Sequence, residues 1–133
     1  VHPGGKLGLQ LQHVSDWLVD QPPPPGAAPD ISASDLVHAV ADGGMGCVGV
    51  VEGDVLVGCV TDGDLRRAMT PDFFGKRAQD MMSRTPTTVT PDMRMADAIA
   101  IMTDRRISNL FVVEGDRLLG VIHMKDLLKA GYL

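Results

Sequence analysis

An α/β fold of the α+β kind, two β-α-β-β-α repeats related by a pseudo-twofold axis, is predicted by three features of the chain. The string Val50-Val51-Glu52-Gly53-Asp54 returns unaltered as Val112-Val113-Glu114-Gly115-Asp116, and the same offset of 62 residues carries Pro29 onto Pro91, Asp35 onto Asp97, Gly58 onto Gly120 and Asp64 onto Asp126. Within each copy an apolar stripe at helical spacing precedes two β-branched runs that flank a Glu-Gly-Asp turn. At 133 residues, 44% apolar and 22% charged, the chain has the make-up of one ordinary globular body. A half of roughly 60 residues is too small to bury much surface alone, so the two are expected to pack together, with a ligand in the cleft between them.

The elements follow in order. Residues 1–13 hold three glycines and read as a linker; Val14, Trp17 and Leu18 then recur at i, i+3 and i+4, the spacing of one helical face. Pro22-Pro23-Pro24-Pro25-Gly26 cannot be helical, because each ring removes an amide donor and restrains its predecessor. Ser32, three residues before Asp35, resembles a capping box, and Leu36, Val37 and Val40 supply an apolar face until Gly43. Cys47 to Val51 and Val55 to Val60 form a hairpin about Gly53, and Asp64 to Met69 starts another helix. Repeats are bounded at 14–70 and 71–133.

In the second repeat, Asp80, Met81 and Met82 repeat the short lead-in helix of Asp16 and Trp17, with the methionines expected to pack across the pseudo-dyad. Met95, Ala98, Ile99 and Met102 form the helical stripe, Leu110 to Val113 and Leu118 to Ile122 the hairpin, and Lys125 to Ala130 the closing helix. Met95 and Met102 read as core.

The formal charge of −5 argues against general affinity for nucleic acid or an anionic membrane, which need clustered basic surface. No stretch reaches the roughly 18 apolar residues of a membrane span, and Val1-His2-Pro3-Gly4-Gly5 lacks the parts of a signal peptide, so a cytoplasmic location is expected. The opening reads as part of a longer protein. Cys47 and Cys59 lie in apolar runs without a Cys or His at zinc spacing and read as small core residues; no metal and no resident cofactor are expected. His13 and His38 fall on helices without a paired ligand.

The chemistry-bearing stretch is Gly58-Cys59-Val60-Thr61-Asp62-Gly63-Asp64, running from a strand into a helix N-terminus where free amides favour an anion. Thr61 can donate a hydroxyl to phosphate, and an ionised Asp64, acceptor-only, suits the vicinal hydroxyls of a ribose. The same two residues also make a capping box in which each satisfies a backbone amide. The second repeat has Gly120-Val121-Ile122-His123-Met124-Lys125-Asp126, keeping the carboxylate while placing His123, a poorer cap, where the hydroxyl stood. That favours a ligand-facing carboxylate.

This pattern, repeated after a hairpin, resembles a tandem cystathionine-β-synthase (CBS) domain pair, or Bateman module, over residues 14–131. The resemblance implies nucleotide binding between repeats, regulation of an attached enzyme or transporter, no catalysis by the pair itself, and association into homodimers. His2-Pro3-Gly4-Gly5-Lys6-Leu7-Gly8, Thr61-Asp62-Gly63-Asp64-Leu65-Arg66-Arg67 and His123-Met124-Lys125-Asp126-Leu127-Leu128-Lys129-Ala130-Gly131 further resemble the C-terminal part of bacterial D-arabinose 5-phosphate isomerases. In that family a sugar-isomerase (SIS) domain precedes the pair and interconverts ribulose 5-phosphate and arabinose 5-phosphate for Kdo and lipopolysaccharide synthesis. It implies a covalently linked isomerase domain upstream of residue 14, a tetrameric parent, and an active-site ancestry for His2 alone.

Pathway logic makes the end product CMP-Kdo the expected ligand, with an adenine nucleotide (AMP or ATP) or an empty, purely structural dimerisation module as alternatives. Its second anionic group needs counter-charge, for which Arg105, Arg106, Lys125 and His123 are candidates; cations also suit a helix C-terminus, where the arginines fall. By the resemblance, Ser108, Thr87, Thr88 and Thr90 border the nucleotide cleft, although turns and caps use the same residue types. With one Trp, one Tyr and three Phe in the chain, aliphatic sandwiching of the base is expected over ring stacking. His123 in place of a hydroxyl makes the sites unequal, and one ligand per chain is expected.

Overall fold

The computed structural model describes residues 6–133, so His2 and the opening His-Pro-Gly-Gly lie outside the described residues. In chain order the elements are α1 (Lys6–Leu11), α2 (Val14–Leu18), β1 (Gly26–Ala27), α3 (Ala33–Gly43), β2 (Cys47–Glu52), β3 (Val55–Thr61), α4 (Asp62–Arg67), a 3₁₀ turn (Phe73–Gly75), α5 (Ala78–Met81), β4 (Thr88–Val89), α6 (Met95–Arg105), β5 (Asn109–Glu114), β6 (Arg117–His123) and α7 (Met124–Lys129). From β1 and β4 onward the order β-α-β-β-α appears twice, as the repeat predicts.

The chain gathers into two compact units whose composition differs from the repeats. One holds the chain up to Pro23 with Thr87–Gly115 and Leu119–Leu133; the other holds Pro24–Pro86 with Asp116–Leu118. Each lead-in helix thus belongs with the other repeat's sheet, and the first cut falls inside the proline run.

In the unit built on Pro24–Pro86, β1 runs parallel to β2 and β2 antiparallel to β3, with a register irregularity at Val50/Val51 and Gly53 at φ 65° in the turn. Val55 pairs with Arg117 on the free side of β3. The α3 helix starts where the Ser32 hydroxyl accepts the Asp35 amide at 3.2 Å, and Gly44, at φ 68°, ends it. Leu36, Val40, Val48, Val50, Val60 and Leu65 close the core from both sides. Met81 and Met82 pack on this same core, to which α5 is tied: the Ala78 and Ala33 amides donate to the Ile31 and Lys76 carbonyls, both at 3.1 Å.

In the other unit β4 is parallel to β5, and β6 lies on the opposite side of β5. The α6 stripe of Met95, Ala98, Ile99 and Met102 is buried against Leu110, Val112, Ile122 and Leu127. Each fully buried side chain of that size contributes about 1.5–3 kcal/mol, enough for the stripe to fix the helix face although Arg94 offers no capping side chain. The α2 helix is fastened here: the Val14 and Ser15 amides donate to the Met93 and Pro91 carbonyls, and the Trp17 ring meets Tyr132 edge-on at 5.4 Å. Tyr132 donates its hydroxyl to Gln12. The stretch expected to be linker is helical at Lys6–Leu11 and lies beside α6, so tertiary contact overrides its glycine.

Candidate functional site

Both closing helices begin one residue after a strand, and the same backbone contact holds each start. The Met124 amide donates to the Ser108 carbonyl at 2.8 Å, and the Asp62 amide donates to the Gly46 carbonyl at 2.9 Å. The turn that ends the long helix is therefore pinned beside the start of the short one. The side chains presented there differ: Arg105, Arg106, Ile107 and Ser108 in one unit stand where the other has Gly43, Gly44, Met45 and Gly46.

At α4 the sequence's two readings of Thr61 and Asp64 meet a definite geometry. Thr61 Oγ1 accepts the Asp64 amide at 3.2 Å, Asp64 Oδ2 accepts the Thr61 amide at 2.9 Å, and the Thr61 hydroxyl donates to the same Oδ2 at 3.0 Å. This is a complete capping box, and the hydroxyl expected to meet phosphate is engaged within it. Arg67 Nη2 donates to the remaining oxygen, Oδ1, at 2.5 Å. The Asp64 side chain retains 12% exposure beneath a guanidinium side chain that is 73% exposed. Asp64 and Arg67 border a cavity of about 210 Å³ with Ala68, Lys76, Asp80 and Met81.

At α7 the arrangement changes. His123 is 4% exposed and its Nδ1 accepts the Lys125 amide at 3.0 Å, so the imidazole replaces the hydroxyl as the helix cap. The residue expected to be a poorer cap than a hydroxyl thus does cap the helix, through the Lys125 amide. An accepting Nδ1 carries no proton, which leaves the proton of the neutral ring on Nε2. His123 does not bind the Asp126 backbone as Thr61 binds that of Asp64, and no reciprocal box forms. Among the described residues no side-chain hydrogen bond or ion pair engages the half-buried Asp126 carboxylate.

The other predicted residues divide as follows. Arg105 is the last residue of α6, and Arg106 follows it in the left-handed region at φ 56°, both exposed. Ser108 is exposed beside the α7 start through its backbone contact. The Thr87 carbonyl accepts the Phe111 amide at 3.1 Å, and Thr88 pairs with Phe111 across β4 and β5. The Thr90 hydroxyl donates to Asp92 Oδ1 at 2.5 Å, which is turn chemistry. One unit therefore contains Arg105, Arg106, Ser108, Thr87, Thr88, His123, Lys125 and Asp126, whereas Thr61 and Asp64 belong to the other.

Two contacts lay beyond the sequence reading. Arg67 on Asp64 could have been suspected from its i+3 spacing on a helix. The glycine opening each motif is explained by a close approach: a Cβ on Gly58 would stand 2.6 Å from the Ser83 carbonyl oxygen and 2.7 Å from Met82 Sδ, and one on Gly120 would meet Leu18. No spacing rule signals that.

Among the described residues no group of three or more His, Cys, Asp or Glu side chains is placed to hold a metal, and no helix is long and apolar enough to cross a membrane.

The CBS domain model matches the chain twice, over residues 14–71 and 78–132. Arabinose 5-phosphate isomerase KdsD of Yersinia pestis is 37% identical over 134 residues, and KdsD of Escherichia coli K12 is 34% identical over 134. Each alignment covers 98% of this chain but 41% of the relative, so the chain spans about two fifths of the length of these curated relatives. Among solved structures, the CBS domain of a CBS domain containing membrane protein from Sphaerobacter thermophilus superposes with a TM-score of 0.77 at 19% identity, covering 93% of this chain and 90% of that one. The CBS domain pair of protein MJ0100, in complex with 5′-methylthioadenosine and S-adenosyl-L-methionine, gives 0.75 at 22% identity, covering 89% and 94%. Two family matches in tandem, the β-α-β-β-α order and a fold shared with solved CBS structures place this chain in the CBS domain family, as a pair similar to the C-terminal region of arabinose 5-phosphate isomerases.

Proposed function

We propose that this CBS pair is the regulatory, ligand-binding module of an arabinose 5-phosphate isomerase, that it has no catalytic activity of its own, and that it senses CMP-Kdo, the activated end product of the pathway the isomerase feeds. The observation that carries the proposal is the content of one unit: an Asp126 carboxylate that no side-chain hydrogen bond or ion pair engages among the described residues, on a helix whose Met124 amide donates to the Ser108 carbonyl, with Arg105 and Arg106 at the end of α6 and Lys125 next to Asp126 in the chain. A carboxylate of that kind accepts from the vicinal hydroxyls of a ribose. The guanidinium and ammonium groups suit the phosphate and the sugar carboxylate of a CMP-sugar. Likeness to KdsD over 98% of the chain supports the link to an arabinose 5-phosphate isomerase.

The mechanism is a shift of population. Ligand bound better by one arrangement of the pair stabilises that arrangement, and the attached isomerase domain and the oligomer respond to it. Thr87 and Thr88 border the nucleotide in this scheme, and the isomerase belongs to the same polypeptide.

A second reading, an adenine-nucleoside sensor, draws on the MJ0100 pair, which holds adenosine derivatives. Thermal unfolding of the 133-residue chain with CMP-Kdo, CMP, AMP and ATP separates the two. A ligand that binds only the folded state at a hundredfold excess over Kd adds about 2.7 kcal/mol and raises Tm by several degrees. The largest shift is expected with CMP-Kdo. A larger shift with AMP or ATP favours the second reading, and no shift with any of the four leaves a structural dimerisation module.

A further inference from the structure

We infer that Arg67 is a built-in plug on the Asp64 carboxylate, so that the two repeats are unequal and Asp126 alone takes the diol of a ligand. The inference rests on the proposed nucleotide binding and assigns it to one carboxylate. An ionised carboxylate offers about four lone-pair sites on two oxygens. Both donors of Thr61 converge on Asp64 Oδ2, and Arg67 takes Oδ1 at 2.5 Å. A vicinal diol presents two donors to two oxygens and has to displace the guanidinium first.

Displacement is unfavourable for a reason of geometry as well as charge. Asp64 is largely covered whereas Arg67 is open to solvent, and the guanidinium holds the oxygen that the capping box leaves free. The contact is charge-assisted and compact, the stronger kind of hydrogen bond. In the second repeat the residue at the place of Arg67 is Lys129, and no ion pair among the described residues joins it to Asp126. The turn before each hairpin differs in the same sense: Gly43, Gly44 and Gly46 carry no side-chain donors, whereas the corresponding residues of the second repeat are Arg105, Arg106 and Ser108.

Calorimetric titration of the chain with CMP-Kdo, and separately with AMP, tests this on four proteins. Wild type is expected to bind one equivalent. Asp126→Asn should weaken binding at least tenfold, while Asp64→Asn, checked for native unfolding behaviour, should stay within threefold. Arg67→Gln, a change at an exposed side chain that leaves the capping box in place, should add a second, weaker event. Loss of binding in Asp64→Asn with retention in Asp126→Asn overturns the inference and leaves the sensor standing, as does a single unchanged equivalent in Arg67→Gln. Absence of heat in wild type with both compounds overturns the sensor and the inference together.

Discussion

A Cβ added to Gly58 would stand 2.6 Å from the Ser83 carbonyl oxygen, while the Cys59 and Ser83 amides exchange hydrogen bonds of 2.9 Å with each other's carbonyls. Backbone cannot give way there without breaking that pairing. Gly58→Ala is therefore expected to cost about 1–3 kcal/mol, the usual scale of overpacking, seen as a lower urea midpoint. Gly75→Ala, with nothing within 4 Å of the added carbon and no left-handed backbone, should leave the midpoint in place. The two cysteines make a second residue-scale prediction. Burial first, then the nearby Cys59 and Asp62 for Cys47 and the Asp64 charge for Cys59, pushes both thiols from 9.0 up to about 11. A raised folded-state value means the folded state holds its thiol protons longer than the unfolded chain. Stability is thus retained below about pH 9 and falls as pH rises toward about 11. Urea midpoints at pH 8 and pH 10.5 should differ in that sense, and native thiols at pH 8 should react with an aromatic disulfide far more slowly than unfolded ones. The burial of both cysteines was legible from their apolar runs. The locking of Asp64 was not, since the same two residue types serve a cap or a ligand, and only Arg67's position decides between them.

Elements with a long apolar period were the most legible. The α3 and α6 stripes, both Gly-centred hairpins and the closing helices stand within a residue or two of their expected bounds, because each is specified by contacts local in sequence. The two-residue strands β1 and β4 carry no period of their own and exist through parallel pairing to β2 and β5. The α1 helix likewise owes its form to a neighbour. How α6 ends yields the element-scale prediction. Gly44 closes α3 in the left-handed region, and Arg106 closes α6 there at φ 56°. A side chain in that region costs about 1–2 kcal/mol that glycine avoids. Arg106→Gly should therefore stabilise the chain by about 1 kcal/mol in urea unfolding, while weakening an anionic ligand if the guanidinium serves it. A destabilised Arg106→Gly would mean that Arg106 is needed for packing.

At the scale of the whole molecule, the duplication was plain in the sequence, and its structural division was not. The repeats are contiguous in sequence, whereas the compact units exchange their lead-in helices: α2 is fastened by Trp17 and Tyr132, and α5 by Ala33 and Ala78. Such pairings join residues more than 40 apart in most cases and leave no periodic trace. The division also explains why the predicted site residues separate, with eight in one unit and Thr61 and Asp64 in the other. The central claim is that the ligand is held at Asp126. Hydrogen–deuterium exchange of the full chain with and without saturating CMP-Kdo tests it most directly. Protection is predicted in residues 106–111 and 123–127, with residues 61–67 unchanged. Protection confined to residues 61–67, or none anywhere alongside a measured thermal shift, would contradict it.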